Sequence, residues 1–143
     1  RVMPNTAIAV RKSMTFICSI GASDEQVKSV SDIFSRLGSV MVIDENQMTA
    51  CMALASCGIA YAMRYVRAAS EGGVELGVKA DLAKDIVLQT MQGAAALLQT
   101  TGAHPEAEID KVTTPGGITI KGLNAMEAHG FTTSVIEGLK ASK

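Results

Sequence analysis

The stretch KVTTPGGITIKGL, residues 111–123, places two threonines, a proline and two consecutive glycines ahead of an apolar, helix-forming segment. Pro115 after Thr113 and Thr114 reads as the first position of a helix, because its fixed φ suits N1 and its missing N–H is no loss there. The glycines are harder to explain, since each costs a helix interior roughly 1 kcal/mol relative to alanine. Two functions would need bare backbone at this point. The unpartnered N–H groups of a helix N-terminus, with no Cβ at Gly116 and Gly117, would let a carboxylate or phosphate come within hydrogen-bonding distance. Alternatively, the glycines would let another helix pack closely. This stretch alone favours neither.

The remaining residue types with chemical potential are sparse. Cys18, Cys51 and Cys57 are an odd number in apolar segments without a CxxC spacing. That fits core filling in a reduced, cytoplasmic setting better than a disulfide framework or a zinc site. His129 falls at the end of a helical segment, where partial positive charge is favoured, and His104 precedes Pro105 in a loop; neither has neighbours in a metal-ligand spacing, so no metal is expected. The net charge is −1, aromatic residues make up 3%, and there is no basic block. Those values argue against a nucleic-acid groove. The longest uncharged run, residues 48–63, is too short and too weakly apolar to span a membrane. The chain opens on Arg1 with no basic and apolar leader, from which a fragment or processed product is expected.

Elements that could position these residues follow from the periodicities. Two short β-branched runs, residues 13–20 and 39–43, flank an amphipathic helix over 24–37, which has Ser23 and Gln26 as a capping box, Val27, Val30, Ile33, Phe34 and Leu37 on one face, and Gly38 as its stop. This is a β-α-β unit of the kind found in parallel sheets. Beyond Asp44 the pattern is helical. Met48, Met52, Ala55, Ile59, Ala62, Met63 and Val66 form one stripe, and Leu82, Ala83, Ile86, Val87, Met91, Ala94, Ala95 and Leu98 form a second. Both stripes use small residues and methionine, which permits close helix approach, leaves little volume to bury within one chain and suits a subunit interface. Two shorter helices over 115–128 and 132–141 complete the chain. The fold class is mainly α, with residues 1–45 a β-α-β remnant of an α/β domain and residues 46–143 helical.

Five segments together carry a family resemblance: RVMPNT (1–6), AYAMRYVRAASEGGVELGV (60–78), TMQGAAALL (90–98), HPEAEIDKVTTPGGIT (104–119) and VIEGLKAS (135–142). In order and spacing they are similar to pyrroline-5-carboxylate reductases, over the whole chain. The resemblance implies reduction of 1-pyrroline-5-carboxylate to L-proline with NADPH or NADH, the last step of proline biosynthesis, in a homodimer whose members can associate further. It further implies that residues 1–45 are the end of a Rossmann-like cofactor domain and residues 46–143 a helical dimerisation and substrate-binding domain. It also implies site residues. Val112, Thr114, Gly116, Gly117, Ile118 and Thr119 would bind the substrate, with backbone N–H groups on its carboxylate and the Thr119 hydroxyl, the catalytic candidate, near the ring nitrogen. Asn5, Ser56 and Gly58 would lie on the coenzyme side.

The sequence departs from the family in three respects. Where the family has Ser-Gly-Ser-Gly-Pro-Ala-Tyr, this chain has ASCGIAY at residues 55–61, and Ile59 in place of the proline is expected to leave the first long helix uninterrupted. Ala7 stands where the family has a second proline. No GxGxxG fingerprint follows a strand, so the dinucleotide pyrophosphate has no seat in these residues. The chain alone is therefore expected to be inactive, as part of a larger reductase. The alternative is a freestanding helical dimerisation or anion-binding module.

Overall fold

The computed structural model describes residues 1–142. Its one sheet has three strands, β1 (Val2–Pro4), β2 (Ser13–Ile17) and β3 (Gly38–Val42), in that order. The middle strand, β2, pairs parallel with β3 from Ser13 opposite Gly38 to Ile17 opposite Val42, and antiparallel with β1. Between β2 and β3 runs α1 (Asp24–Phe34), followed by a 3₁₀ turn at Ser35–Leu37. The expected β-α-β unit is present, with β2 ending before its apolar run does and β3 starting one residue earlier than its run suggested. The Ser23–Gln26 capping box forms in full, with Ser23 Oγ accepting from the Gln26 N–H and Gln26 Oε1 accepting from the Ser23 N–H. β1 is an addition to the sequence reading, which placed no strand in RVMPNT.

Gly38 does more than stop the helix. Its φ is 143°, and a Cβ there would lie inside the backbone of Ser13, the residue paired with it across the sheet. Only glycine lets β3 begin at that register.

From Met48 the chain is helical: α2 (Met48–Met52), a wide turn of π-helix at Ala53–Cys57, α3 (Gly58–Glu75), α4 (Ala80–Thr101), α5 (Pro105–Val112), α6 (Ile118–Ala128) and α7 (Phe131–Lys140). The first long helix is thus not the uninterrupted α-helix expected. The Gly58 N–H reaches back five residues to the Ala53 carbonyl, the signature of one extra residue in the turn. The helix α5 is a second addition, since the sequence pattern places no helix at residues 105–112.

The chain divides into two compact units, Arg1–Ala62 together with the end of the chain from Ile136, and Met63–Val135. In the first, the interior centres on β2, where Ser13, Thr15, Phe16, Ile17 and Cys18 are buried. Within the same unit the Tyr61 hydroxyl donates to the Gly138 carbonyl at 3.2 Å and is also hydrogen-bonded to Ser142 Oγ. In the second, α3 and α4 approach closely at Gly73, where an added Cβ would come 3.0 Å from the Ala83 Cβ.

Ala83 is the only fully buried apolar residue of the second unit among the described residues. Residues that the periodicity placed on interior faces, including Met63, Leu82 and Ile86, are at least half exposed in the single chain. Among the described residues no helix is long and apolar enough to cross a membrane.

Replacing Gly38 by alanine forces a Cβ into the Ser13 backbone at a φ that L-residues rarely adopt, and is expected to cost on the order of 3 kcal/mol of stability. Chemical denaturation of the Gly38→Ala protein measures this directly.

Candidate functional site

The candidate residues fall into two groups, one in each unit. In the second unit, α5 ends at Val112 and is closed by Thr113, whose N–H and hydroxyl both donate to the Asp110 carbonyl. Thr113 therefore terminates α5 and does not cap the helix that follows. The next four residues make a tight turn, with the Gly117 N–H donating to the Thr114 carbonyl at 2.9 Å. Pro115 sits second in that turn and Gly116 third, with φ at 72°, the arrangement of a type II turn.

This corrects the sequence reading at three points. Pro115 is a turn residue and not N1 of a helix, because proline's fixed φ serves both positions equally well. Gly116 lies outside the helix, and its glycine is required by the positive φ. Gly117 is the N-cap of α6, and a Cβ on it would meet Thr114 Oγ1 at 2.5 Å and the Thr114 carbonyl at 3.0 Å. The bare backbone thus has a local cause in the turn itself. The helix, and with it the unpartnered N–H groups, begins three residues further along than the sequence suggests, at Ile118.

Helix α6 starts at Ile118, and no side chain caps it. The N–H groups of its first turn, on Ile118, Thr119 and Ile120, point out of the helix at the positive end of its dipole. Of the other helices, α4 likewise has no side-chain cap, whereas α1 and α5 do. In α1 the Ser23 hydroxyl occupies the equivalent place, and in α5 the His104 imidazole Nδ1 accepts from the Glu106 N–H at 3.2 Å. His104 is accounted for by that capping bond, and His129 by its place as the C-cap of α6.

The apolar members of the loop are bare. Ile118 is 87% exposed and Val112 61%, values that leave both free to cover a ligand or a partner. Thr119 is exposed in the first turn of α6, beside the unpartnered N–H groups. Lys111, at the end of α5, is engaged at 2.6 Å by Glu108 of its own helix, while Lys121 follows directly on Ile120 within α6. An anion at this terminus would be met by backbone donors, with a hydroxyl at hand for a second function.

In the first unit, Asn5 lies beside the π-turn, with its Nδ2 donating to the Ala55 carbonyl at 3.4 Å. The structure thereby brings Asn5 next to the segment that holds Ser56 and Gly58, both partly buried. Sequence reasoning named these three residues but not the wide turn that carries Ser56 and leads into Gly58. Among the described residues, no three His, Cys, Asp or Glu side chains converge as metal ligands.

The chain is similar to known proteins throughout. The family described as "Pyrroline-5-carboxylate reductase dimerisation" matches residues 45–143. Pyrroline-5-carboxylate reductase 1 of Dictyostelium discoideum is 44% identical over 99% of this chain, which spans 28% of that protein. Pyrroline-5-carboxylate reductase of Synechocystis is 37% identical over 99% of this chain and is spanned to 54%. The solved Plasmodium falciparum pyrroline carboxylate reductase, which holds NADP, superposes with a TM-score of 0.94 at 31% identity, over 99% of this chain and 58% of that one. The enzyme from Streptococcus pyogenes gives 0.96 at 31% identity, over 99% and 55%.

Alanine at Gly116 meets no neighbouring atom yet must adopt a left-handed φ, so Gly116→Ala is expected to lower stability by about 1–2 kcal/mol. Thermal unfolding of that variant, compared with the parent chain, reads the cost of the turn alone.

Proposed function

The chain belongs to the pyrroline-5-carboxylate reductase family, and on that footing we propose that it is the substrate-binding and dimerisation part of an NAD(P)H-dependent enzyme that reduces 1-pyrroline-5-carboxylate to L-proline. The uncapped first turn of α6 is the observation that carries this reading. The substrate has one carboxylate and one ring nitrogen, and the loop offers a backbone anion seat with a hydroxyl beside it.

In the proposed complex the N–H groups of Ile118, Thr119 and Ile120 donate to the substrate carboxylate. Bonds to a charged acceptor are worth about 1.5–3 kcal/mol each, enough to orient a small ring. Val112 packs on the ring from the edge of the loop, and its exposure in the free chain supports that role. The Thr119 hydroxyl holds a proton at the ring nitrogen, so that nitrogen gains its hydrogen as the neighbouring carbon is reduced. Gly116 and Gly117 contribute by fixing the turn that aims the terminus, with Thr114 folded against Gly117.

When bound, NADPH or NADH supplies the hydride that this reduction consumes. The hydroxyl of Ser56 suits the carboxamide or ribose of a nicotinamide, and Gly58 leaves room beside it. The phosphates need donors that these residues lack, since the sequence holds no GxGxxG. Tight coenzyme binding is accordingly assigned to sequence outside these 143 residues, and the relatives are longer than the part matched here.

The same reading makes the chain half of a homodimer. Apolar side chains on α3, α4 and α6 are exposed in a single copy, and small residues on the helix faces permit close approach of a partner. The physical setting proposed is the cytoplasm, in keeping with three free cysteines.

Two measurements test this. In the complete gene product, Thr119→Val is expected to lower turnover by about a hundredfold while Thr119→Ser keeps most of it, and equal rates for the two would remove the hydroxyl from the chemistry. Sedimentation equilibrium of the chain at micromolar concentration is expected to return a dimer; a folded, stable monomer would contradict the interface reading.

A further inference from the structure

Asn5 has its side-chain amide engaged at both ends. Its Oδ1 accepts from the Ala7 N–H at 3.2 Å, capping the 3₁₀ turn at Thr6–Val10, and its Nδ2 donates to the Ala55 carbonyl. Its backbone N–H donates to Ser13 Oγ at 3.2 Å, and Ser13 Oγ lies 3.1 Å from Thr15 Oγ1. Both of those side chains are buried in the middle strand. A chain of polar contacts thus leads from the interior of the sheet to the π-turn.

The acceptor at the far end has its own significance. The Gly58 N–H is shared between the carbonyls of Ala53 and Ala55, five and three residues back, so Ala55 O stands where the wide winding and the tight winding compete. π-turns are rare, because one more residue must be held in a geometry that ordinary helical bonding does not favour. A second donor on Ala55 O, arriving from outside the helix, pins that carbonyl and with it the turn. The neighbours so positioned are Ser56 and Gly58.

We propose that Asn5 is a positioning residue that holds the π-turn at Ala53–Cys57 in the winding that presents Ser56 and Gly58 to a nicotinamide coenzyme, acting through the Ala55 carbonyl and not by touching the coenzyme. This rests on the reductase reading for the identity of the ligand. It departs from the sequence expectation, which put Asn5 in contact with the coenzyme. Both ends of the amide are already engaged within the fold.

Asn5→Asp isolates the contact. Aspartate remains a good N-cap and keeps the acceptor for Ala7, but it loses the donor and sets a carboxylate against the Ala55 carbonyl. In the complete gene product, amide exchange at residues 57–61 is expected to quicken about fivefold or more, with the sheet and α4 unaffected. The KM for NADPH is expected to rise by a similar factor and the KM for pyrroline-5-carboxylate to stay unchanged. Asn5→Ser, an equally good cap too short to reach Ala55, should do the same, and stands in if the aspartate variant does not fold. Weaker NADPH binding with unaltered exchange at residues 57–61 would mean direct contact and overturn the proposal, as would no change in either. A parent gene product that neither binds NADPH nor reduces the substrate would sink the functional reading instead, while the exchange comparison would still judge the link between Asn5 and the π-turn.

Discussion

The helical part of this chain has almost no interior of its own. From Met48 onward, Ala53 and Ala83 are the only fully buried apolar residues among the described residues, and alanine contributes little when it leaves water. Ordering a residue's backbone costs roughly 1–2 kcal/mol, which helices recover chiefly by packing an apolar face. Leu82, Ile86, Leu97 and Ile118 remain exposed, so in a single copy that recovery is incomplete. The small residues follow from the same constraint. Gly73 against Ala83 brings two helices together at minimal thickness, leaving their larger side chains facing outward.

The sheet obeys the opposite rule. Its middle strand is buried almost throughout, and it has polar as well as apolar residues in the interior, since Ser13 and Thr15 satisfy each other and Ser13 also receives the Asn5 N–H. A buried hydroxyl pair of this kind would be costly without partners. Here it ties the beginning of the chain to the strand and fixes the residue that reaches the π-turn. A self-contained, well-ordered frame and a set of helices with exposed apolar faces thus coexist in one sequence, and the candidate residues are divided between them.

Much of this was legible in the residues. The capping box at Ser23 and Gln26, the stop at Gly38 and the two long helices each leave a local chemical signature, and the TTPGGIT segment announced an unusual helix start. The misses have physical causes. β1 is three residues long and ends in Pro4, so its pairing is decided by the strand beside it and not by its own propensity. α5 is a short helix opened by a histidine cap, outside the usual serine, threonine, aspartate and asparagine set. The Pro115–Gly116 pair is ambiguous because a proline at the head of a turn and a proline at the head of a helix have the same φ. The π-turn has no propensity signal; its extra residue is absorbed by contacts fifty positions apart in sequence.

The bare start of α6 has an energetic counterpart. Where α1 and α5 bring side-chain caps, α6 has Gly117 as its N-cap, and since glycine serves nearly as well there, its first turn is left only about 0.3 kcal/mol short of what a serine or aspartate would supply. On the proposed reading the substrate carboxylate takes the place of that missing side chain. Substrate then acts as a structural part of the helix it binds, and occupancy is linked to folding: the free protein is the looser one, and its stability rises with the logarithm of substrate concentration once the site begins to fill. A helix left unfinished by its own sequence makes recognition and local ordering a single event.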